Sequence, residues 1–307
     1  MVIDVVEQKI EDISHDLLKI LLTDKTTKKF IRWGSDNYAS YGPQYYTDQE
    51  ILPDLITGDF TDVIQPRVLK PEAQKTKRTR DNAEVFTPSW VCNEQNNVVD
   101  AAWFGRSDVF NIAGDKTWTS VTDPVTFPKD KIWKNYVDAR RLEVSCGEAP
   151  YLVSRYDTVT GQTIPITERI GLLDRKLRIV GENADTDKEW FTWTVRAFQS
   201  VYGYDFQGDN VLLARENLLY TFIEYAERRT GERPKLSQMK KIANIIAWNI
   251  WQMNGLTMTA PYSQAESVYR QFTLFDFIGP NGEEIETPKT REIPCRIFDW
   301  RSNESME

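Results

Sequence analysis

Histidine is almost missing from this chain: His15 is the only one among 307 residues. Because that one falls in the N-terminal helical pattern, histidine-based nucleophilic triads and multi-histidine metal sites are nearly excluded, and no metal site is expected. Cysteine is nearly as scarce. Cys92, Cys146 and Cys295 are odd in number, far apart and free of C-x-x-C spacing, so neither a disulfide framework nor a zinc site is expected, and a reducing cytoplasm is the expected compartment. No run reaches the roughly 18 apolar residues of a membrane helix. The opening M-V-I-D-V-V-E-Q-K is charged from its fourth residue, so neither membrane insertion nor export is expected. Positive charge is also in deficit. Lys and Arg number 38 against 46 Asp and Glu, and a net charge of −8 argues against a globally cationic nucleic-acid coat.

What is present suffices for a core: 40% of the residues are hydrophobic and 12% aromatic, in a chain long enough for one large or two smaller domains. Val6, Ile10, Ile13, Leu17, Ile20 and Leu21 recur at three- and four-residue steps, which predicts an amphipathic helix over 4–23. Residues 32–66 show no sustained period and read as loops with short strands. The stretch R-V-L-K-P-E-A-Q-K-T-K-R-T-R at 67–80 is the one basic run. It is either a solvated linker or a phosphate-backbone contact made by Lys75, Lys77, Arg78 and Arg80.

Beyond residue 140 the pattern alternates. Strands are expected at 141–146, 200–205, 248–253 and 293–300, with helices at 169–177, 188–198, 209–229 and 236–247. Strands separated by helices predict a doubly wound, mainly parallel α/β sheet. The boundary falls near residue 80, with a helical and irregular region over 1–80 and the α/β unit over 81–307. In such a sheet a ligand sits beyond the carboxyl ends of the strands, where a glycine turn lets the backbone approach and an acid holds a ribose. The turn Cys146-Gly147-Glu148-Ala149 fits the first role and Asp205 the second.

Four segments stand in a suggestive order: E-V-F-T-P-S-W-V at 84–91, L-E-V-S-C-G-E-A-P-Y-L at 142–152, Y-G-Y-D-F-Q-G-D-N-V-L-L at 202–213 and N-I-W-Q-M-N-G-L at 249–256. The succession resembles that of gamma-class DNA adenine-N6 methyltransferases, especially the modification (M) subunits of restriction-modification systems. The resemblance implies a class I, Rossmann-like methyltransferase sheet that binds S-adenosylmethionine. It implies Phe86, Thr87 and Pro88 beside the methionine moiety, and Glu143, Ser145, Cys146, Gly147 and Ala149 around the methionine and ribose. Asp205 would take the ribose hydroxyls and Asn254 would face the adenine amino group.

The family's N-P-P-Y tetrapeptide is absent from the chain. At its expected place stands F-D-W-R-S-N, where Asp299 would be the acceptor for a flipped adenine and Trp300 the stacking ring, unless the two merely finish an edge strand. The chain ends seven residues past Trp300, short of about three further strands of the family's sheet. The C-terminal part is therefore expected to be incomplete, working with another polypeptide such as a specificity or endonuclease subunit. Two other readings remain open: a non-catalytic methyltransferase-fold scaffold in a phage-defence system, and an unrelated nucleotide-binding protein.

Overall fold

The computed structural model describes residues 3, 5–82, 84–85, 87–263 and 292–306. The N-terminal apolar period forms two helices, α1 (Glu7–Ile13) and α2 (His15–Leu22), instead of one. Ser14 between them is extended, at φ −174° and ψ 124°, and breaks the ladder while Leu17, Leu18, Leu21 and Leu22 still reach the core. Short 3-10 turns and isolated bridges carry the chain from 36 to 69. The basic run is no linker. Its second half is α3 (Glu72–Asn82), held to the core by buried ion pairs that a sequence period does not reveal.

Helix α4 (Ser89–Phe104) leads to an antiparallel hairpin, β1 (Asn111–Gly114) and β2 (Thr117–Ser120), and then to α5 (Trp133–Asp138). The alternating part follows. β3 (Arg141–Val144), α6 (Leu172–Asn183), α7 (Asp187–Gln199), β4 (Val201–Asp205), α8 (Gly208–Thr230), α9 (Leu236–Asn249) and β5 (Ile250–Gln252) succeed one another, and β3, β4 and β5 pair in parallel in that order. The protein is thus a mixed α/β chain built on a three-stranded parallel sheet among the described residues. The expected strand at 293–300 does not join it. Its ordered part, β6 (Ile297–Asp299), pairs antiparallel with β7 (Glu304–Met306).

The period of two along β4 fixes the sides of the sheet. Val201, Gly203 and Asp205 are buried, whereas Tyr202 and Tyr204 are half-buried on the opposite side and pack with Trp251 and Ile297 in a smaller cluster. One contiguous core takes Leu17, Trp33 and Ile51 from the N-terminal region together with Leu177, Phe198, Phe222 and Ile246 from the later helices. No helix among the described residues is long and apolar enough to cross a membrane.

Candidate functional site

Beyond the carboxyl ends of β3 and β4 lies a cavity of about 650 Å³, within the range of small-molecule and cofactor sites. Its walls include Thr87, Glu143, Ser145, Cys146, Gly147 and Asp205, six of the residues singled out from the sequence. The turn after β3 is unusual in its backbone. Ser145, Gly147 and Ala149 take φ values of 51°, 53° and 63°, so two non-glycine residues occupy the left-handed region at a cost of order 1–2 kcal/mol each. Tertiary contacts hold them there. Cys146 donates its N–H to Tyr204 O at 2.8 Å and packs against Gly203, where any side chain would meet the thiol. Ala149 donates to Cys146 O at 2.7 Å and is wholly buried under the turn.

Asp205 ties turn to strand. Its Oδ2 accepts the Gly147 N–H at 2.9 Å and its Oδ1 accepts the Gln207 N–H at 2.9 Å. Burial pushes its carboxyl up to about 6 against the lowering effect of those two bonds. Glu143, whose oxygens accept from the Tyr151 and Leu152 N–H groups, is pushed up by burial to about 8. At neutral pH the cavity therefore holds an ionised Asp205 beside a Glu143 that is mostly protonated. Cys146 is raised well above the ordinary thiol range by burial and by the carboxylates of Asp205 and Glu143, so it is a packing residue and not a nucleophile.

A buried ion network stands behind Glu84, the one of its members that lines the cavity. Arg78 bonds Glu84 at 2.7 Å and Asp209 at 2.8 Å, and Asp209 also receives Tyr38 at 2.7 Å and Lys70 at 3.3 Å. Burial alone would raise Asp209, but the Arg78 and Lys70 charges outweigh it and hold the carboxyl far below its usual range. Gln207 donates to Glu84 at 3.1 Å, so the cavity wall and the ion network are continuous. Gly34, Glu84, Gln207 and Asn210 line the cavity without having been expected there. Gln207 and Asn210 sit in the Q-G-D-N stretch that follows Asp205, a local signal for them. Gly34 comes from the N-terminal region through the backbone bond from Gly208 N–H to Trp33 O, which no local pattern announces.

Several of the residues singled out from the sequence lie elsewhere or are otherwise engaged. Asp299 and Trp300 do not approach the cavity: Asp299 accepts from Arg140 at 3.0 Å, and Trp300 donates to Asn249 at 2.8 Å. Arg140 immediately precedes β3, and Asn249 binds the carbonyl of Val201, so the pair sits at the amino ends of the strands. Asn254 does not line the cavity either, because its Oδ1 caps a turn by accepting the Leu256 N–H at 3.0 Å. Arg78 is buried and engaged by two carboxylates, so it is closed to phosphate. In the same helix Lys75 pairs with Glu72 and Arg80 with Asp81, which leaves Lys77 as the exposed cation without an ion pair among the described residues of α3. Pro88 caps α4 next to Thr87 without touching the cavity, Ala149 lies beneath it, and Phe86 falls outside the described residues.

No protein-family model, curated protein or solved structure matches the chain. Among the described residues, no group of three or more His, Cys, Asp or Glu is arranged to hold a metal ion.

Proposed function

We propose that the cavity binds S-adenosylmethionine and that the chain is a cofactor-binding module of the DNA adenine-N6 methyltransferase kind. The observation that carries the reading is the 2.9 Å bond from Gly147 N–H to the Asp205 carboxylate. It joins the turn and the acid that the resemblance pairs, at one cavity and beyond adjoining parallel strands. The residues fit the group. Each Asp205 oxygen keeps a lone pair beyond its backbone bond, enough for the two ribose hydroxyls. Thr87 and the turn at Ser145 to Gly147 border the space for the methionine part, and the ionised Asp205 suits a ligand with a sulfonium charge, whose approach would in turn favour ionisation of Glu143. When bound, the cofactor supplies an electrophilic methyl group for direct transfer to an amino nitrogen.

The non-catalytic form of this reading is favoured by one observation: Asp299 and Trp300 are bonded to groups at the amino ends of the strands. In this reading the acceptor and stacking groups for adenine, and contact with DNA, come from a second polypeptide of a restriction or phage-defence assembly. The test is calorimetry and thermal unfolding with S-adenosylmethionine, since a ligand of the folded state alone stabilises by about 2.7 kcal/mol at a hundredfold excess over Kd. Asp205→Asn turns one of the two oxygens that accept the Gly147 and Gln207 N–H groups into a donor, so it is expected to lower stability, checked by circular dichroism. In the folded fraction it is expected to weaken binding about tenfold or more, because charge-assisted hydrogen bonds are lost. No stabilisation at millimolar ligand, or equal affinity in the variant, would refute it.

A further inference from the structure

A second cavity, of about 950 Å³, shares no residue with the one beyond β3 and β4. Five consecutive residues, 118–122, make one wall, and three more, 166–168, make another. The helices α6, α7 and α8 contribute Gly181, Trp190 and Tyr225 between them. Trp118 Nε1 donates to Glu168 O at 2.8 Å and bridges the strand wall to the turn at 166–168.

The backbone of β2 gives this groove its chemistry. Val121 N–H donates to Phe110 O at 2.9 Å, and in an antiparallel pair hydrogen-bonded and non-hydrogen-bonded residues alternate. With the register Ile112 opposite Thr119, the groups of Thr119 and Val121 therefore turn inward to β1. Those of Trp118 and Ser120 turn outward. Among the described residues nothing pairs with that outer edge, and the hairpin stays two-stranded. A strand edge of open N–H and C=O groups is a template for another strand.

Charge narrows the occupant. Arg178 is engaged by Glu182 and Arg229 by Asp187, whereas Arg228 on α8 and Glu168 across the groove are exposed without an ion-pair partner among the described residues, and the lining's arginines, Arg178, Arg228 and Arg229, outnumber its glutamates, Glu168 and Glu182. The ring of Trp118, half-buried, lines the groove with the edges of the buried Trp190 and Tyr225 and gives it an apolar floor. We propose that this groove takes an extended peptide segment of a partner protein as a third strand on β2, with apolar side chains on the aromatic wall and an acidic residue at Arg228. Main-chain bonds would give the affinity, and alternate side chains and the acid the selectivity. Nothing in this inference rests on the S-adenosylmethionine reading.

Gly181 supplies the decisive variant. It lies within α6 with an ordinary φ, and a Cβ built on it meets nothing within 4 Å. Gly181→Leu should therefore leave the fold at least as stable, since glycine is a poor helix residue, while filling the groove. The probe is an array of fluorescein-labelled hexapeptides alternating Thr with Val, Leu or Phe and ending in Asp or Lys, read by polarisation against the full chain. Asp-ended peptides are expected to bind. Methylating the backbone nitrogens that face β2 should weaken the best of them about tenfold or more, as Gly181→Leu should. Arg228→Ala should abolish the preference for Asp over Lys, and bound peptide should slow hydrogen exchange at Trp118 and Ser120. The proposal is overturned if no peptide of the array binds at about 1 mM, or if N-methylated peptides or Gly181→Leu bind as the parents do.

Discussion

At the scale of single residues, burial decides what each charged side chain can do. Arg78 belongs by sequence to a basic run, yet it is spent inside the protein on Glu84 and Asp209. Removing one partner of a buried ion pair leaves the others unpaired in a poor solvent for charge, so Arg78→Ala is expected to cost about 3–5 kcal/mol in chemical denaturation. A loss below about 1 kcal/mol would mean that water reaches the network. Glu7 of α1 and Glu216 of α8 present the reverse case. Both are buried, and no other residue among those described donates a hydrogen bond to their carboxylate oxygens. Burial raises Glu7 to about 8 and Glu216 well above its ordinary 4.5, and the Glu7 charge raises Glu216 further. The folded state thus holds protons that the unfolded state releases above about 4.5. Their contribution to stability is complete below that pH and is lost as pH rises toward and through about 8. Glu216→Gln keeps the shape and removes one titration, so the fall in stability between pH 5 and pH 8 should shrink by an amount of order 1–3 kcal/mol. Calorimetric unfolding at the two pH values checks it, and an unchanged slope would show that these carboxyls are ionised in the folded protein.

Elements carry the next level of the argument, and α8 is the clearest. Its first residue, Gly208, donates to Trp33 O at 3.1 Å, and a Cβ there would stand 1.9 Å from the carbonyl oxygen of Arg32. That contact holds the N-terminal region against the α/β part, and it brings Gly34 and Gln207 to the same cavity. Gly208→Ala must push the two segments apart. The expected cost is about 1–3 kcal/mol, with weaker binding of any ligand of the cavity, by thermal unfolding and calorimetry. Wild-type values for both would place the close approach elsewhere. Elements with strong internal periods were legible in advance: β4, α8 and α9 lie within two residues of the ranges expected from sequence, and β3 and β5 are only shortened at their ends. The failures have physical causes. α3 has little apolar content, and its helix is fixed by Arg78 reaching Asp209, a residue 131 positions away by number. Strand β6 carries an apolar pattern, but no pattern states which neighbour it will pair with, and it pairs with β7. The cavity was legible at Cys146, Gly147 and Asp205 because turn and strand-end residues advertise themselves, while Gly34 and Glu84 arrive by tertiary folding alone.

For the whole molecule, the question is whether cofactor binding and transfer chemistry can reside in one chain. The cavity opens at the carboxyl ends of the parallel strands, whereas the β6–β7 hairpin is fastened to their amino ends through Arg140 and Asn249, with Arg301 on Asp138 as a third tie. Four residues of β3 at about 3.3 Å each separate those ends by roughly 13 Å. Direct methyl transfer needs acceptor nitrogen and donor carbon near 3–3.5 Å, so a base held by Asp299 and Trp300 could not reach a methyl group in the cavity. The expected outcome is therefore that the purified chain, given labelled S-adenosylmethionine and mixed-sequence DNA, binds the cofactor but transfers no methyl group. Asp299→Ala should leave cofactor affinity unchanged, since the residue belongs to the opposite end of the sheet, while Asp205→Asn should reduce it. Label transfer by the chain alone that disappears in Asp299→Ala would show that the hairpin swings to the cavity in solution, and would restore F-D-W-R-S-N as a working catalytic motif.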